Sequence, residues 1–317
     1  MSNPLKNKKI RYAVVGLGHL AQTAVLPAFK NARKNSELVA LVSEDRFKLK
    51  KLGDQYGVQI RIHTSDYEAL LASGQVDAVY LATPNVYHRD FAVMAARYGV
   101  HILCEKPLAI EEKDCQVMVD AAAKNKVKLM TAYRLHFDDA NLDAVELAKS
   151  RKLGDLRIFN SIFTQQVKDQ KNIRLDAEMG GGVLFDMGIY CINAARYLFQ
   201  AEPVEVFAAA SSSADKRFSE VGEMVTAVLK FPDNRLATFT ASFGANAVAS
   251  YELLGTKGNL RLEESYGYTG AMKLSVTLGE KTEFKKYPKR DQFAPELLYF
   301  SDCIQNNKII EPSGEEG

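Results

Sequence analysis

The sequence has little of what membrane-spanning and nucleic-acid-binding chains need. No apolar run reaches the about 18 residues of a transmembrane helix. The net charge is +2 with no basic cluster, and binding to nucleic acid or an anionic membrane surface requires clustered Lys and Arg. We therefore expect no nucleic acid and no membrane as partners, and a small molecule instead.

Cysteine is also sparse. The four cysteines are widely spaced in apolar surroundings, with no CxxC pair, so neither a metal site nor a disulfide framework is indicated. We interpret them as reduced core residues and expect no metal. The chain passes from a short polar lead into a strand without the apolar core of a signal peptide, so we expect a cytoplasmic protein. The cysteines are Cys104, Cys115, Cys191 and Cys303.

Short β-rich apolar runs alternate with segments of helical spacing in the first half of the chain. Their continuous apolarity indicates strands buried on both faces, as in a parallel sheet covered by crossover helices. The sequence therefore predicts an N-terminal α/β Rossmann domain, a doubly wound parallel sheet, over residues 1–134. The predicted strands are RYAVV (11–15), ELVALV (37–42), DAVYLA (77–82), VHILC (100–104) and VKLMTAY (127–133).

Longer, partly alternating strands such as DLRIFNSIFTQQV and RLATFTASF follow, with little helix between them. This pattern predicts a separate α+β domain with an open, mostly antiparallel sheet over residues 135–317. The apolar alternation in these strands leaves a second sheet face that needs covering. This favours a homodimer or homotetramer formed through the C-terminal sheet.

The segment GLGHLA follows the first predicted strand directly and precedes a helix predicted to run to about Arg33. Gly16 permits a tight turn, Gly18 lets the backbone approach a pyrophosphate, and small Ala21 stands where the third glycine of the motif packs. The helix start offers unpaired N–H groups and a positive dipole end to phosphates. A tight structural turn is the alternative, but the position between strand and helix favours a dinucleotide site. The predicted contacts are Gly16, Gly18, His19 and Leu20.

The end of the second predicted strand bears on the choice between NAD and NADP, because an acid there binds the ribose 2′-hydroxyl of NAD. Ser43 ends this strand, and Arg46 and Lys48 follow it. A hydroxyl and two cations suit a 2′-phosphate, so NADP is favoured. Glu44 or Asp45 could turn inward and bind the hydroxyl, and the two cations could be solvated helix charges, which keeps NAD as the alternative.

A loop after the third predicted strand, TPNVYH, lies where ligands bind in parallel sheets. Pro84 stiffens the turn. Asn85 could bond the ribose or the nicotinamide carboxamide, or it could cap the following helix. His88 is equally suited to a cofactor contact and to a structural role.

The loop after the fourth predicted strand contains Glu105, Lys106 and Pro107. A lysine directly after a buried strand, beside an acid and held by a proline, can protonate or orient a substrate oxygen. A plain ion pair between Glu105 and Lys106 is the alternative. We predict both residues as cofactor contacts and Lys106 also as a catalytic residue.

The segment GGGVLFDMGIYCIN, residues 180–193, carries one carboxylate and one phenol on an otherwise apolar helix. Residues four apart share a helix face, so Asp186 and Tyr190 point the same way. The alternative is structural: Asp186 makes a capping or buried hydrogen bond, and Tyr190 is a core residue.

In this order, GLGHLA, ATPNVYH, CEKPLA and GGGVLFDMGIYCIN resemble the Gfo/Idh/MocA oxidoreductases, named for glucose-fructose oxidoreductase and inositol dehydrogenase. LMTAYRLHFD, EPVEVFAA and RFSEVGEM are similar to the glucose-fructose oxidoreductase branch. The resemblance covers nearly the whole chain and implies an active site in the cleft between the two domains. It also implies that Ser43 and Lys48 hold the 2′-phosphate of NADP, and that a final helix returns to the first domain, which we expect after residue 317.

The resemblance implies an NADP-dependent dehydrogenase or reductase for a sugar or sugar-like polyol. Oxidation of a C–OH group requires that the hydroxyl lose its proton, and a phenol beside a lysine suits this transfer. Tyr190 is the expected general acid/base, Lys106 its electrostatic partner, and Asp186 the carboxylate that positions the hydroxyl. Two alternatives stay open: an enzyme with tightly bound NADP that passes hydride between two sugars, and a non-catalytic nucleotide-sensing regulator.

Overall fold

The computed structural model describes residue 5 and residues 8–317. Its contacts divide the chain into two compact units, Met1–Arg134 with Asp291–Gly317 and Leu135–Arg290. Each unit contains one large sheet.

The sheet of the first unit is entirely parallel, with the strand order β3-β2-β1-β4-β5-β6. This is the order of a doubly wound sheet, the fold that we predicted. Strand β4 is buried throughout and β1 at every position except Arg11, because helices cover both faces. The sequence analysis missed β3, which has only three residues, all half-buried. The strands are β1 (Ile10–Val15), β2 (Ser36–Val42), β3 (Ile60–Ile62), β4 (Ala78–Leu81), β5 (His101–Glu105) and β6 (Leu129–Ala132).

The helices of this unit connect its strands. The helical segment after β1 contains a π-helical turn, Ala21–Val25, and ends at Ala28, earlier than predicted. It stops there because the N–H groups of Lys30 and Asn31 donate to the carbonyl oxygens of Pro27 and Ala28, three residues earlier, instead of continuing the i to i−4 pattern. The helices are α1 (Leu26–Ala28), α2 (Arg46–Tyr56), α3 (Tyr67–Ala72), α4 (His88–Arg97) and α5 (Glu112–Asn125).

The sheet of the second unit has the order β14-β13-β12-β11-β7-β10-β9-β8. Its pairings are antiparallel except for the parallel pair of β7 and β10, so the predicted open, mostly antiparallel sheet is confirmed. The strands are β7 (Leu156–Thr164), β8 (Glu205–Ser211), β9 (Met224–Phe231), β10 (Arg235–Ser242), β11 (Val248–Gly255), β12 (Gly258–Glu263), β13 (Met272–Leu278) and β14 (Lys281–Tyr287).

The two faces of this second sheet differ in burial. On β7, Phe159 and Ser161 are buried in the core that the sheet forms with α6 (Asp139–Lys149) and α7 (Ile189–Phe199). Ile158 and Ile162 point the opposite way and are exposed, as side chains two residues apart on a strand share a face. The edge strand β8 is exposed along its whole length. One face of the sheet therefore presents exposed apolar side chains.

The last helix, α8 (Phe293–Asn306), belongs to the first unit. Its buried residues Leu297, Phe300 and Ile304 recur at helical spacing, and it contacts β1 and β2. Residues 291–317, which we assigned to the second domain, thus lie in the first unit. A helix that returns to this unit is present before residue 317, where we expected it afterwards.

No helix in the described ranges is both long enough and apolar enough to cross a membrane.

The structure predicts a loss of stability in mild acid. His101 Nδ1 accepts the N–H of Lys128 at 2.9 Å, and burial together with the Lys128 charge lowers the pKa of His101 from 6.5 to about 4. Between these two values the unfolded chain takes up a proton that the folded chain does not. The free energy of unfolding therefore falls as the pH decreases through this window, by at most about 1.4 kcal/mol per pH unit for this residue.

Thermal or urea unfolding of the apoprotein at several pH values measures this slope. We expect a shallower slope in His101→Gln and a wild-type slope in His19→Gln, whose side chain is exposed. An identical slope in His101→Gln and the wild type would rule out His101 as the origin.

Candidate functional site

The glycine turn after β1 leaves room for a ligand. Gly16 has φ +91°, and a Cβ atom there would lie 2.5 Å from the Ala82 carbonyl oxygen, so only glycine fits. A Cβ atom on Gly18 would meet no atom within 4 Å. At the end of β4, Thr83 Oγ1 is buried and has no hydrogen-bond partner among the described residues. An approachable backbone and an unsatisfied hydroxyl fit a cofactor that carries phosphate and ribose groups.

His19 and Leu20 lie in the first helical turn after Gly18, where N–H groups have no partner within the helix. The π-helical turn Ala21–Val25 follows at once. Such turns inside helices are frequent at functional sites. The helix start therefore presents N–H groups of the kind that bind an anion.

The loop after β2 orders the residues that we predicted for the 2′-phosphate. Ser43 is buried, and its Oγ accepts the N–H of Asp45 at 3.1 Å. Asp45 caps α2 by accepting the N–H of Lys48 at 2.9 Å and also pairs with the Lys48 ammonium at 3.2 Å. This hydrogen bond lowers the pKa of Asp45. The carboxylate of Asp45 is thus occupied, and Arg46 and Glu44 are exposed.

His88 joins two loops of the first unit. It is fully buried, with Nδ1 3.0 Å from the Pro107 carbonyl oxygen and Nε2 3.1 Å from the Thr83 carbonyl oxygen. Burial lowers the pKa of His88. Each ring nitrogen lies against a backbone carbonyl oxygen, and a neutral imidazole can donate to only one of them. These contacts within the first unit fit the structural role that we left open better than the predicted cofactor contact.

Pro84 and Asn85 begin the short connection to α4. Pro84 precedes the 3₁₀ turn Asn85–Tyr87, and Asn85 is half-buried. The N-cap position of α4 is Tyr87, not Asn85. Asn85 therefore does not cap α4, which was the alternative that we considered for it.

Glu105 and Lys106 lie at the end of β5. Glu105 points into the unit: it is 7% exposed, accepts the Tyr80 hydroxyl at 2.7 Å and accepts the Lys106 N–H at 3.3 Å. Burial raises the pKa of Glu105, whereas the Tyr80 hydrogen bond and the Lys106 charge lower it. Lys106 is half-buried and precedes a cis peptide bond to Pro107. The Glu105 carboxylate therefore accepts its hydrogen bonds from groups of the first unit.

In the second unit, Asp186 and Tyr190 lie on one helix, as predicted. Asp186 belongs to a π-helical turn, Leu184–Gly188, which continues into α7 with Tyr190. Tyr190 is 6% exposed and packs near the rings of Phe163 and Tyr266, at centroid distances of 5.8 and 6.1 Å. Asp186 thus lies in a π-helical turn, and the glycine turn of the first unit is also followed by one.

Arg174 completes this group. Its Nε lies 2.6 Å from Asp186 Oδ2, and the Asp186 charge raises the pKa of Arg174, with smaller contributions from Tyr268 and Tyr190. The Arg174 side chain is 43% exposed and that of Asp186 22%. The cation holds the carboxylate in one orientation.

The three glycines position the Arg174 loop. The N–H groups of Gly181 and Gly182 donate to the carbonyl oxygens of Asp176 and Arg174, at 2.8 and 2.9 Å. A Cβ atom on Gly181 would lie 2.6 to 2.7 Å from the carbonyl oxygens of residues 173, 174 and 176. The loop that contains Arg174 therefore packs so closely against residue 181 that only a glycine fits there.

Comparison with known proteins identifies the family. The oxidoreductase family with an NAD-binding Rossmann fold matches residues 10–133, and the GFO/IDH/MocA C-terminal domain matches residues 142–261. A D-xylose 1-dehydrogenase (NADP⁺) from Haloarcula marismortui is 30% identical over 97% of this chain and 87% of its own length. This chain belongs to the Gfo/Idh/MocA oxidoreductases. The expected family and enzyme class are therefore confirmed.

Two solved structures are similar to this Gfo/Idh/MocA chain. An aldose-aldose oxidoreductase from Caulobacter crescentus, complexed with glycerol, has a TM-score of 0.93 and 35% identity and covers 98% of this chain and 93% of its own. A 3-ketoreductase from Actinomadura kijaniata, in complex with NADP and TDP-benzene, has a TM-score of 0.86 and 26% identity, with coverage of 98% and 94%. Both support the two-unit fold.

Three polar residues near the candidate site belong to no recognisable sequence motif. Arg174 precedes Asp186 by twelve positions, and no motif connects the two residues. Thr83 stands inside the TPN segment and was passed over, although its hydroxyl is the unsatisfied one. Tyr268, which acts electrostatically on Arg174, lies in a loop without a recognisable pattern. In the described ranges, no group of three or more His, Cys, Asp or Glu side chains could hold a metal ion.

The crowding at Gly181 predicts a specific sensitivity of this oxidoreductase. Gly181→Ala must displace backbone carbonyl groups, so we expect the free energy of unfolding to fall by about 2 kcal/mol. Urea unfolding measures the change. Gly270→Ala is the matched control, because a Cβ atom there meets nothing within 4 Å. Equal stability of the two variants would contradict the role assigned to Gly181.

Proposed function

We propose that this chain is an NADP-dependent oxidoreductase that transfers hydride between nicotinamide and a sugar or sugar-like polyol. One observation carries the proposal: Asp186 and Tyr190 follow each other on one helix, with Arg174 paired to the carboxylate. This group contains a hydrogen-bond acceptor for a substrate hydroxyl and a phenol for proton transfer.

The first unit would bind the cofactor. Gly16, Gly18 and the helix start at His19 and Leu20 would approach the pyrophosphate, because the backbone there is open to a ligand. Ser43, with Arg46 and Lys48, would bind the 2′-phosphate. When bound, NADP supplies the nicotinamide carbon that accepts or donates the hydride.

Each catalytic residue has a distinct task in the proposed mechanism. During oxidation, the Tyr190 Oη takes the proton from the substrate hydroxyl, and during reduction it returns this proton. We assign Lys106 as the electrostatic partner of this phenol and as the anchor of the substrate oxygen. Asp186, held by the Arg174 guanidinium, accepts a hydrogen bond from a hydroxyl and so orients the sugar.

The relatives support a sugar-like substrate and NADP. A D-xylose 1-dehydrogenase is named for NADP⁺, and the ketoreductase structure contains NADP. In this chain, Asp45 is engaged in capping α2, which reduces its ability to bind the 2′-hydroxyl of NAD. NADP is therefore the proposed cofactor, and NAD the less favoured one.

A second candidate function is hydride exchange between two sugars on tightly held NADP. The similarity to the aldose-aldose oxidoreductase favours it. A non-catalytic nucleotide sensor is the third reading, and the complete set of Lys106, Asp186 and Tyr190 argues against it because a sensor needs no proton-transfer group.

The exposed apolar face of the second sheet supports a homodimer or homotetramer in the cytoplasm. Ile158 and Ile162 on β7 and Leu236 on β10 lie exposed on paired strands. An apolar sheet face is stabilised by covering it, and a second copy offers the same face.

A substrate panel tests the function. Purified protein is mixed with NADP or NAD and with aldoses, polyols, dihydrodiols or dicarbonyls, and the absorbance of the reduced nicotinamide is followed. Oxidation or reduction of a sugar or polyol with NADP is the expected result. NADP(H) that copurifies with the protein and exchanges hydride between two sugars would favour the second candidate. Cofactor binding without any turnover would overturn the proposal in favour of the sensor.

Substitution of Tyr190 tests the proton transfer. Tyr190→Phe removes only the hydroxyl, so kcat should fall at least ~100-fold while the Kd for NADP stays within about twofold. Tyr197→Phe, on the same helix, is the matched control and should keep its activity. Wild-type turnover in Tyr190→Phe would refute the role.

Substitution of Ser43 tests the cofactor choice. In Ser43→Asp the new carboxylate repels the 2′-phosphate and can accept the ribose hydroxyl, so kcat/KM for NADP relative to NAD should fall by at least ~100-fold. Ser219→Asp adds the same charge at an exposed site of the second unit and should leave the ratio unchanged. An unchanged ratio in Ser43→Asp would reject Ser43 as a 2′-phosphate contact.

A further inference from the structure

Two buried glutamate side chains share one tyrosine in the first unit. Glu105 at the end of β5 is 7% exposed, and Glu296 on α8 is 0% exposed. Tyr80 Oη on β4 lies 2.7 Å from Glu105 Oε1 and 3.4 Å from Glu296 Oε2. Two buried negative charges without paired cations would be costly.

The hydrogen bonds of this group require a second hydrogen. The Tyr80 hydroxyl has one hydrogen, and the shorter contact directs it to Glu105. The contact between Tyr80 and Glu296 then joins two acceptors unless Glu296 carries a hydrogen of its own. Glu296 Oε1 has no hydrogen-bond partner among the described residues. Such an isolated oxygen is less costly in a neutral acid than in a carboxylate.

The surrounding charges favour Glu296 as the group that holds this hydrogen. Burial, followed by the charge of Glu105, raises the pKa of Glu296 well above its ordinary value, while Tyr80 and Arg134 oppose this change. Arg134 itself donates to Gln292 Oε1 at 2.5 Å. The titratable or charged groups that face Glu296 are Tyr12 from β1, Tyr80 from β4, Glu105 from β5, and Arg134.

Glu105 has the opposite surroundings. Its own pKa is raised by burial, but the Tyr80 hydrogen bond and the charges of Lys106 and Arg134 lower it. Of two carboxyl groups that share one proton, the one with more stabilising donors and cations ionises first. Glu105 is therefore the member that carries the negative charge.

We propose that Glu296 is a positioning residue for Lys106: it holds one proton, directs the Tyr80 hydroxyl to Glu105, and so keeps Glu105 as a buried carboxylate beside Lys106. The Glu105 carboxylate accepts the Lys106 N–H and thereby fixes the backbone of Lys106. Its negative charge favours the ammonium form of the Lys106 side chain. The link to turnover rests on the proposed function, whereas the protonation of Glu296 does not.

Carboxyl-carbon NMR of the full chain, labelled with ¹³C at the side-chain carboxyl of glutamate, tests the protonation directly. The chemical shift separates the neutral acid from the carboxylate, and Glu105→Gln and Glu296→Gln identify the two signals by removing them. At neutral pH we expect a protonated Glu296 and an ionised Glu105. Tyr80→Phe should raise the pH midpoint of Glu105 by about one unit, because a donor is lost. An ionised Glu296 or a protonated Glu105 at neutral pH would overturn the proposal.

Turnover with NADP and the sugar selected by the panel tests the link to Lys106. Glu296→Met removes the donor at similar volume and should lower kcat ~10-fold, and Glu296→Gln, whose amide still donates, should restore most of the loss. The same kcat and pH profile in both variants would exclude the positioning role. If the wild type turns over no substrate, the proposed function and the link to Lys106 both fail, while the NMR result still decides whether Glu296 holds the proton.

A neighbouring substitution controls for lost stability. Ser301→Ala also removes a buried polar group from α8, where Ser301 Oγ lies 2.7 Å from Tyr12 Oη. It should lower the melting temperature and leave the pH profile of kcat unchanged. An altered profile in this control would mean that general weakening of α8 explains the effects, and the role of Glu296 would be withdrawn.

Discussion

The first unit depends on burying both faces of its parallel sheet. Strands β1 and β4 are fully apolar or aromatic over their central residues, and such strands are stable only when helices cover them on each side. Helix α8 supplies part of this cover, and its Ser301 bonds both Tyr12 on β1 and Ser36 on β2, each at 2.7 Å. Because all strands of this sheet are parallel, their carboxyl ends lie at the same edge. At this edge the glycine turn follows β1, Ser43 follows β2, Thr83 follows β4 and Lys106 follows β5.

In the second unit, the candidate site residues lie on a helix and not at the end of a strand. Its sheet leaves one face open, and the proposed catalytic residues Asp186 and Tyr190 lie on one helix, in which a π-helical turn contains Asp186. The loop before this helix is held by glycine N–H groups, and Arg174 on that loop pairs with Asp186. Because a π-helical turn and a crowded glycine both cost stability, their presence together at Asp186 is consistent with a site that places geometry above local stability.

The sequence predicted the elements that carry strong periodicity and a motif. Continuous apolar strands and the glycine turn sufficed for the doubly wound sheet, and the spacing of Asp186 and Tyr190 sufficed for their common helix. The sequence did not predict the features that are determined by contacts between residues far apart in the chain. The strand β3 is stabilised by pairing with β2, not by its own three residues. The membership of α8 in the first unit follows from packing on strands far earlier in the chain: its Ser301 bonds Ser36 and Tyr12, which lie 265 and 289 positions before it. The engagement of Asp45 with Lys48, and of His88 with two carbonyl groups, depends on loop geometry that spacing alone does not encode.

The discontinuity of the first unit has a consequence for biosynthesis. The strands of its sheet are complete by Ala132, but α8 ends at Asn306, so the ribosome must synthesise the whole second unit before the helix that closes the first sheet emerges. During this interval the faces of β1 and β2 that α8 later covers are exposed to solvent and to chaperones. The second unit, which is continuous in sequence, can fold as one segment within that interval. The order of completion along the nascent chain is thus the reverse of the order in which the two units begin.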